Sequence, residues 1–135
     1  MRILLILGLL AALFHPPDTK WNAKWITTIT GKHRPDVPGV FLFRNTIDIE
    51  CVEDEFILHV SADNRYEFYV NGIFVGRGPA RSVPQQWNYA TYNVAPFMKP
   101  GKNILAARVW NWDTSPWAQT SLRTGFIVQG KTKKE

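Results

Sequence analysis

The feature that most constrains this chain is an alternation. From Arg65 to Val70, the side chains of Arg65, Glu67 and Tyr69 fall on one side, and those of Tyr66, Phe68 and Val70 on the other. Period two is what an extended strand needs to bury one face, because successive side chains point to opposite sides of a sheet. Asn71-Gly72 follows, and then a second β-type run, Ile73–Gly76. Both residues of the dipeptide tolerate positive φ, so the sequence predicts a tight hairpin.

The same period recurs upstream. Phe41, Phe43, Ile47 and Ile49 share one face, with Arg44, Thr46 and Asp48 opposite, and Phe56, Leu58 and Val60 repeat the spacing. Residues Arg77 to Pro84 hold two prolines and a glycine and read as a loop, with Gly78 permitting a tight turn. Asn88–Val94 reads as a strand and Pro96 to Gly101 as a turn. Ile104–Trp110 is almost continuously apolar, broken only by Arg108, which suggests a central strand covered on both faces. Arg123–Gln129 closes the series. Short strands between turn signals, with no long amphipathic helix, predict an all-β fold, an antiparallel sandwich or barrel.

Composition narrows the function classes. The 135 residues amount to one domain, and 45% hydrophobic content with six Trp, four Tyr and eight Phe argues against disorder. The net charge of +5 is scattered, its densest group being the tail Lys131, Lys133, Lys134. No basic stripe accompanies it, so no nucleic-acid partner is expected. The single cysteine, Cys51, is expected to be a buried or half-buried apolar residue. Catalysis has little support. His15, His33 and His59 lack metal-ligand spacing, no phosphate-binding glycine loop occurs, and Asp54 with Glu55 reads as a solvated turn.

At the N-terminus, Arg2 precedes an apolar run from Ile3 to Phe14, ended by His15-Pro16-Pro17. That is too short for an ordinary membrane span of about 20 residues and suits a signal peptide or an anchor. The expected organisation is therefore an export segment at 1–17, a folded domain at 21–130 and a basic tail at 131–135. The expected location is secreted, periplasmic or on the cell surface.

One stretch carries a family likeness. Ser61-Ala62-Asp63-Asn64-Arg65-Tyr66-Glu67-Phe68-Tyr69-Val70-Asn71-Gly72 continues through Gly76-Arg77-Gly78-Pro79-Ala80-Arg81-Ser82, with Trp21-Asn22-Ala23-Lys24-Trp25-Ile26 upstream and Lys99-Pro100-Gly101-Lys102-Asn103 downstream. Together these runs resemble the N-terminal β-sandwich of bacterial α-L-rhamnosidases of glycoside hydrolase family 78. The resemblance implies a jelly roll of the galactose-binding-like type, related to the rhamnose-binding carbohydrate-binding module family 67. It also implies that the chain is not an enzyme by itself, since that family's catalytic part is a separate (α/α) barrel.

The resemblance further implies that Asp63 and Asn64 touch both calcium and sugar. Their hard oxygens suit calcium, although the pair also serves in an Asp-Asn turn bonded to local backbone. A tryptophan occurs at about the distance of Trp87 in those modules, and an aromatic face can stack on a sugar; Trp87 reads equally as a core or loop-anchoring residue. In Trp110-Asn111-Trp112-Asp113-Thr114-Ser115-Pro116-Trp117, Asn111 offers a side-chain oxygen, the Pro116 carbonyl can complete a metal shell, and Asp113 is an alternative ligand. Trp110 reads as sealing the sandwich, whereas Trp112 and Trp117 are expected to be partly exposed. Arg77 and Arg81 either bond sugar hydroxyls or fix their loop.

Two functions remain open. One is a calcium-assisted module binding L-rhamnose-containing oligo- or polysaccharide. The other is a structural domain packed on a glycoside hydrolase catalytic domain, or an inactive fragment of such an enzyme.

Overall fold

The computed structural model describes residues 20–28, 38–112, 121 and 123–130. The apolar start, the tail 131–135, His33, Asp113, Pro116 and Trp117 lie outside the described residues. Among the described residues the strands are β1 (Gly39–Ile49), β2 (Ile57–Asp63), β3 (Arg65–Val70), β4 (Ile73–Gly78), β5 (Ala90–Asn93), β6 (Gly101–Asn111) and β7 (Gly125–Gly130), with a 3-10 turn at Ala95–Phe97. They form two antiparallel sheets, ordered β1-β6-β3-β4 and β5-β2-β7. The chain is thus an all-β sandwich, as the alternation predicts.

Between the sheets lie the apolar faces that period two selects. Tyr66, Phe68 and Val70 are fully buried, as are Val60 and Val109. Each such side chain contributes about 1.5–3 kcal/mol by leaving water. Phe126 of β7 links the layers, stacking on Phe43 of β1 at 5.5 Å and meeting Tyr66 edge-on at 6.2 Å. The Tyr66 hydroxyl shares a hydrogen bond with that of Tyr92 and is pushed well above the ordinary phenol range, chiefly by burial.

The predicted hairpin is present. Asn71 and Gly72 have φ of 51° and 82°, which matches the right-handed twist of the flanking strands. Four expectations change. β4 continues through Arg77 to Gly78, because the ladder with β3 pairs Glu67 with Arg77 and Tyr66 with Gly78. Gly78 makes no turn; a Cβ there would meet the Tyr66 hydroxyl at 2.9 Å, so the glycine admits that buried ring. β6 lies between β1 and β3, but only one of its faces is buried. Asn103, Leu105, Ala107, Val109 and Asn111 face inward, while Arg108 is exposed opposite them. Cys51 is exposed in the connection after β1.

Two further features position the site. The segment before β1 lies along β7: the Ile26 and Phe126 amides each donate to the other's carbonyl at 2.9 Å, and the Gln129 side chain accepts the amides of Asn22 and Ala23. At the hairpin end, Asn71 Nδ2 donates to Asn103 Oδ1 and to the Phe97 carbonyl, and Asn71 Oδ1 accepts the Ile104 amide. Asn103 also bonds both the amide and the carbonyl of Lys99 and the carbonyl of Gly101.

Candidate functional site

At the other end of the sandwich, β2 stops in one sheet and β3 begins in the other. Asp63 and Asn64 make that crossing through a cis peptide bond, with 4% and 0% of their surface exposed. Burying a carboxylate and an amide here requires partners, since an unbonded polar group in a low-dielectric interior is costly. Asn64 Nδ2 donates to Asp63 Oδ1 at 2.8 Å, and the Arg123 amide donates to Asp63 Oδ2 at 3.1 Å. Asn64 Oδ1 accepts the Trp112 amide at 2.7 Å, and the Asn64 amide donates to the Trp110 carbonyl. Apart from the bond between the two side chains, these partners are remote in sequence. The pair ties the sheet crossing to the end of β6 and the approach to β7, which a local Asp-Asn turn does not do.

Asp63 forms part of the wall of a cleft of about 340 Å³. One side is Trp25, Ile26 and Thr27, carried there by the segment along β7. The loop after β4 supplies Pro84 and Trp87, and Arg123 and Thr124 complete the floor. Trp25 and Trp87 meet edge to face, their centroids 6.2 Å apart at 89°. The Trp87 Nε1–H is buried with no hydrogen-bond partner among the described residues. The cleft therefore joins two tryptophans to Asp63 and Arg123, within the size range of small-ligand sites. Indoles cover the C–H face of a sugar ring, and the polar groups bond its hydroxyls.

The residues singled out from sequence divide between two places. Asp63 and Trp87 line this cleft. Asn111, 3% exposed, bonds Thr124 Oγ1 at 3.0 Å and so backs the same wall, and Asn64 stands behind Asp63. Trp112 is 53% exposed and lines a separate hollow with Trp110, Arg65 and Arg77. Trp110 is half-buried. Arg81 contributes its carbonyl, which accepts from Asn88 Nδ2. Trp25, Arg123 and Thr124 were not foreseen. Trp25 stood within the Trp21–Ile26 run, but nothing local tied it to Trp87.

For calcium, the donor set is Asp63 with the amide oxygens of Asn64 and Asn111. Among the described residues no three His, Cys, Asp or Glu side chains cluster as a metal group. Calcium takes about six to eight oxygens, many of them carbonyl, water or hydroxyl. One carboxylate beside an amide oxygen is the kind of donor calcium uses, and here Asp63 Oδ1, Asp63 Oδ2 and Asn64 Oδ1 each also accept a protein N–H.

No protein-family model matches the chain. A β-galactosidase from Arthrobacter sp. (strain B7) is 30% identical over 57 residues, which is 42% of this chain and 5% of that protein. Among solved structures, a family GH78 rhamnosidase of Bacillus sp. GL1 superposes with a TM-score of 0.75 at 33% identity, over 85% of this chain and 12% of that one. An α-L-rhamnosidase from Dictyoglomus thermophilum gives 0.58 at 20% identity over 82% of this chain and 14% of that one. One from Streptomyces avermitilis, complexed with L-rhamnose, gives 0.54 at 24% over 80% and 12%. The last two share the fold. The chain thus spans about an eighth of the length of these rhamnosidases.

Proposed function

The chain is a rhamnosidase-related β-sandwich domain, and from that premise we propose that it is a non-catalytic accessory module that binds L-rhamnose-containing glycans at the Asp63 cleft. The observation that carries this reading is that Asp63 and Trp87 line one cavity, with Trp25 at right angles to Trp87. A neutral sugar gains little from charge at a distance. It gains from a flat apolar surface under its C–H face and from directed acceptors for its hydroxyls.

In this reading Trp87 and Trp25 cover the ring and exclude water, and Asp63 accepts from hydroxyls. Arg123 donates across the mouth of the cleft, and Asn64 and Asn111 keep the wall in place. Calcium, when bound, supplies a Lewis-acidic contact to sugar hydroxyls and is held by Asp63 with neighbouring amide and backbone oxygens. The charged-then-apolar start of the chain supports a place outside the cytoplasm.

Calorimetry with L-rhamnose, with calcium and then with chelator, tests the proposal. The expected dissociation constant is roughly micromolar to millimolar, weakened by chelation and lost in Asp63→Ala. Equal heats for the wild type and that variant would remove the site.

A second reading, that the domain packs on a glycoside hydrolase catalytic domain, is favoured by the outer face of β1, where Val40 is 64% exposed and Leu42 78%. Such exposed apolar surface marks protein contacts. The two readings use different faces and are compatible.

A further inference from the structure

On the outer face of the four-stranded sheet lies a second hollow, of about 460 Å³, lined among others by Arg65, Arg77, Trp110 and Trp112. We infer that it binds a sugar carrying a carboxylate, a hexuronate unit, as a subsite separate from the Asp63 cleft.

The placement follows from strand register. Arg65 lies directly across from Trp110 of β6. Arg77 pairs with Glu67, two residues along β3 from Arg65, so the two arginines are diagonal neighbours on one face, within reach of long side chains. Trp112 follows Trp110 on the same side of the chain and keeps 53% of its surface exposed.

Charge decides the ligand. Three guanidinium groups, Arg65, Arg77 and Arg108, share this face with Glu67. That carboxylate accepts from Arg108 Nε at 3.1 Å and from the Tyr69 hydroxyl at 2.9 Å, and Arg108 forms its ion pair. Neither Arg65 nor Arg77 forms an ion pair among the described residues. Arg65 donates to the Pro79 carbonyl, and the Arg77 guanidinium lies 5.8 Å from the centre of the Phe74 ring, its charge only weakly offset by Glu67, for which Arg108 is the bonded partner.

A guanidinium has five N–H donors in a fixed plane and stays charged at any physiological pH, so donors remain for a carboxylate, which it binds side by side. Indole walls cover the sugar face. A neutral sugar uses only the walls, and a simple carboxylate only the arginines, whereas a hexuronate uses both. Asp63 takes no part.

The test uses the full chain, with tryptophan fluorescence and amide chemical shifts as readouts. Its ligands are methyl β-D-glucuronide, methyl β-D-glucoside and acetate. The glucuronide is expected to bind at least about tenfold more tightly than either control, to weaken about tenfold in Arg77→Gln, and to weaken with added salt. Trp112→Ala, at an exposed position, removes the fluorescence response and most of the affinity. Saturating L-rhamnose leaves glucuronide binding unchanged, and no other arm of the test depends on rhamnose binding, so failure of the rhamnose site is distinguishable from failure of this one. Equal binding of glucuronide and glucoside, acetate matching the glucuronide, or an Arg77→Gln protein that binds as well as wild type would each overturn the inference.

Discussion

The two ends of the β3–β6 pair are built from the same kind of residue and do different things. At the hairpin end Asn71 and Asn103 fill each other and the surrounding backbone: every amide hydrogen and both carbonyl oxygens have a protein partner. At the crossing end Asn64 and Asn111 also hold remote strands, but Asp63, bonded to Asn64, lines a cavity with two tryptophans. An amide network closed on itself is a fastening. One that presents a carboxylate to a concave aromatic wall supports a binding surface. Buried polar residues alone do not separate the two cases; what lies beside them does.

The largest effect is expected at the closed end. Asn103 is fully buried, and Asn103→Ala removes at once a partner of Asn71 Nδ2, the Lys99 amide and the Lys99 and Gly101 carbonyls at a partly buried turn, so chemical unfolding should show a loss of about 2–4 kcal/mol. L-rhamnose affinity of the folded variant stays at the wild-type value. Asp63→Ala sharpens the contrast in reverse: it loses the sugar and a smaller share of stability, about 1–3 kcal/mol. Equal loss of sugar binding in both variants would dissolve the distinction.

The smallest effect belongs to the exposed network between the two ends. The Glu67 carboxyl is held below its ordinary range, first by the Tyr69 hydroxyl and then by Arg108. With its folded pKa lowered, Glu67 stabilises the fold above its unfolded value of about 4.3 and loses that contribution as pH falls through the lower folded value. The stability difference between wild type and Glu67→Gln should therefore shrink as the pH is taken from neutral to strongly acid. A difference independent of pH would show that the group's ionisation adds nothing.

Strand faces were legible because alternation is local: Tyr66, Phe68 and Val70 needed no partner to announce themselves, and Asn71-Gly72 announced its own turn. Ladder length was less so. Arg77 and Gly78 stand beside Pro79 and look like loop, but β3 extends the strand over them. β6 looked buried on both faces because Ala106 and Trp110 are apolar, although only alternate residues meet the core.

Asp63 and Trp87, proposed from likeness to a family of modules, line one cleft. Trp25, Arg123 and Thr124 could not be read. Arg123 reaches Asp63 across 60 residues, and Trp25 meets Trp87 only because residues 20–28 run along β7. Trp112 was grouped with Asp63 on sequence nearness to Asn111, but its ring opens on the other hollow.

The most direct test is the indole N–H of Trp87, a residue that lines the cleft and whose N–H is buried without a described partner. In an amide and indole NMR titration with L-rhamnose in calcium buffer, its resonance and that of Trp25 should shift together and saturate, while that of Trp112 stays in place. Movement of Trp112 alone, or an unchanged spectrum at saturating sugar, would contradict the account.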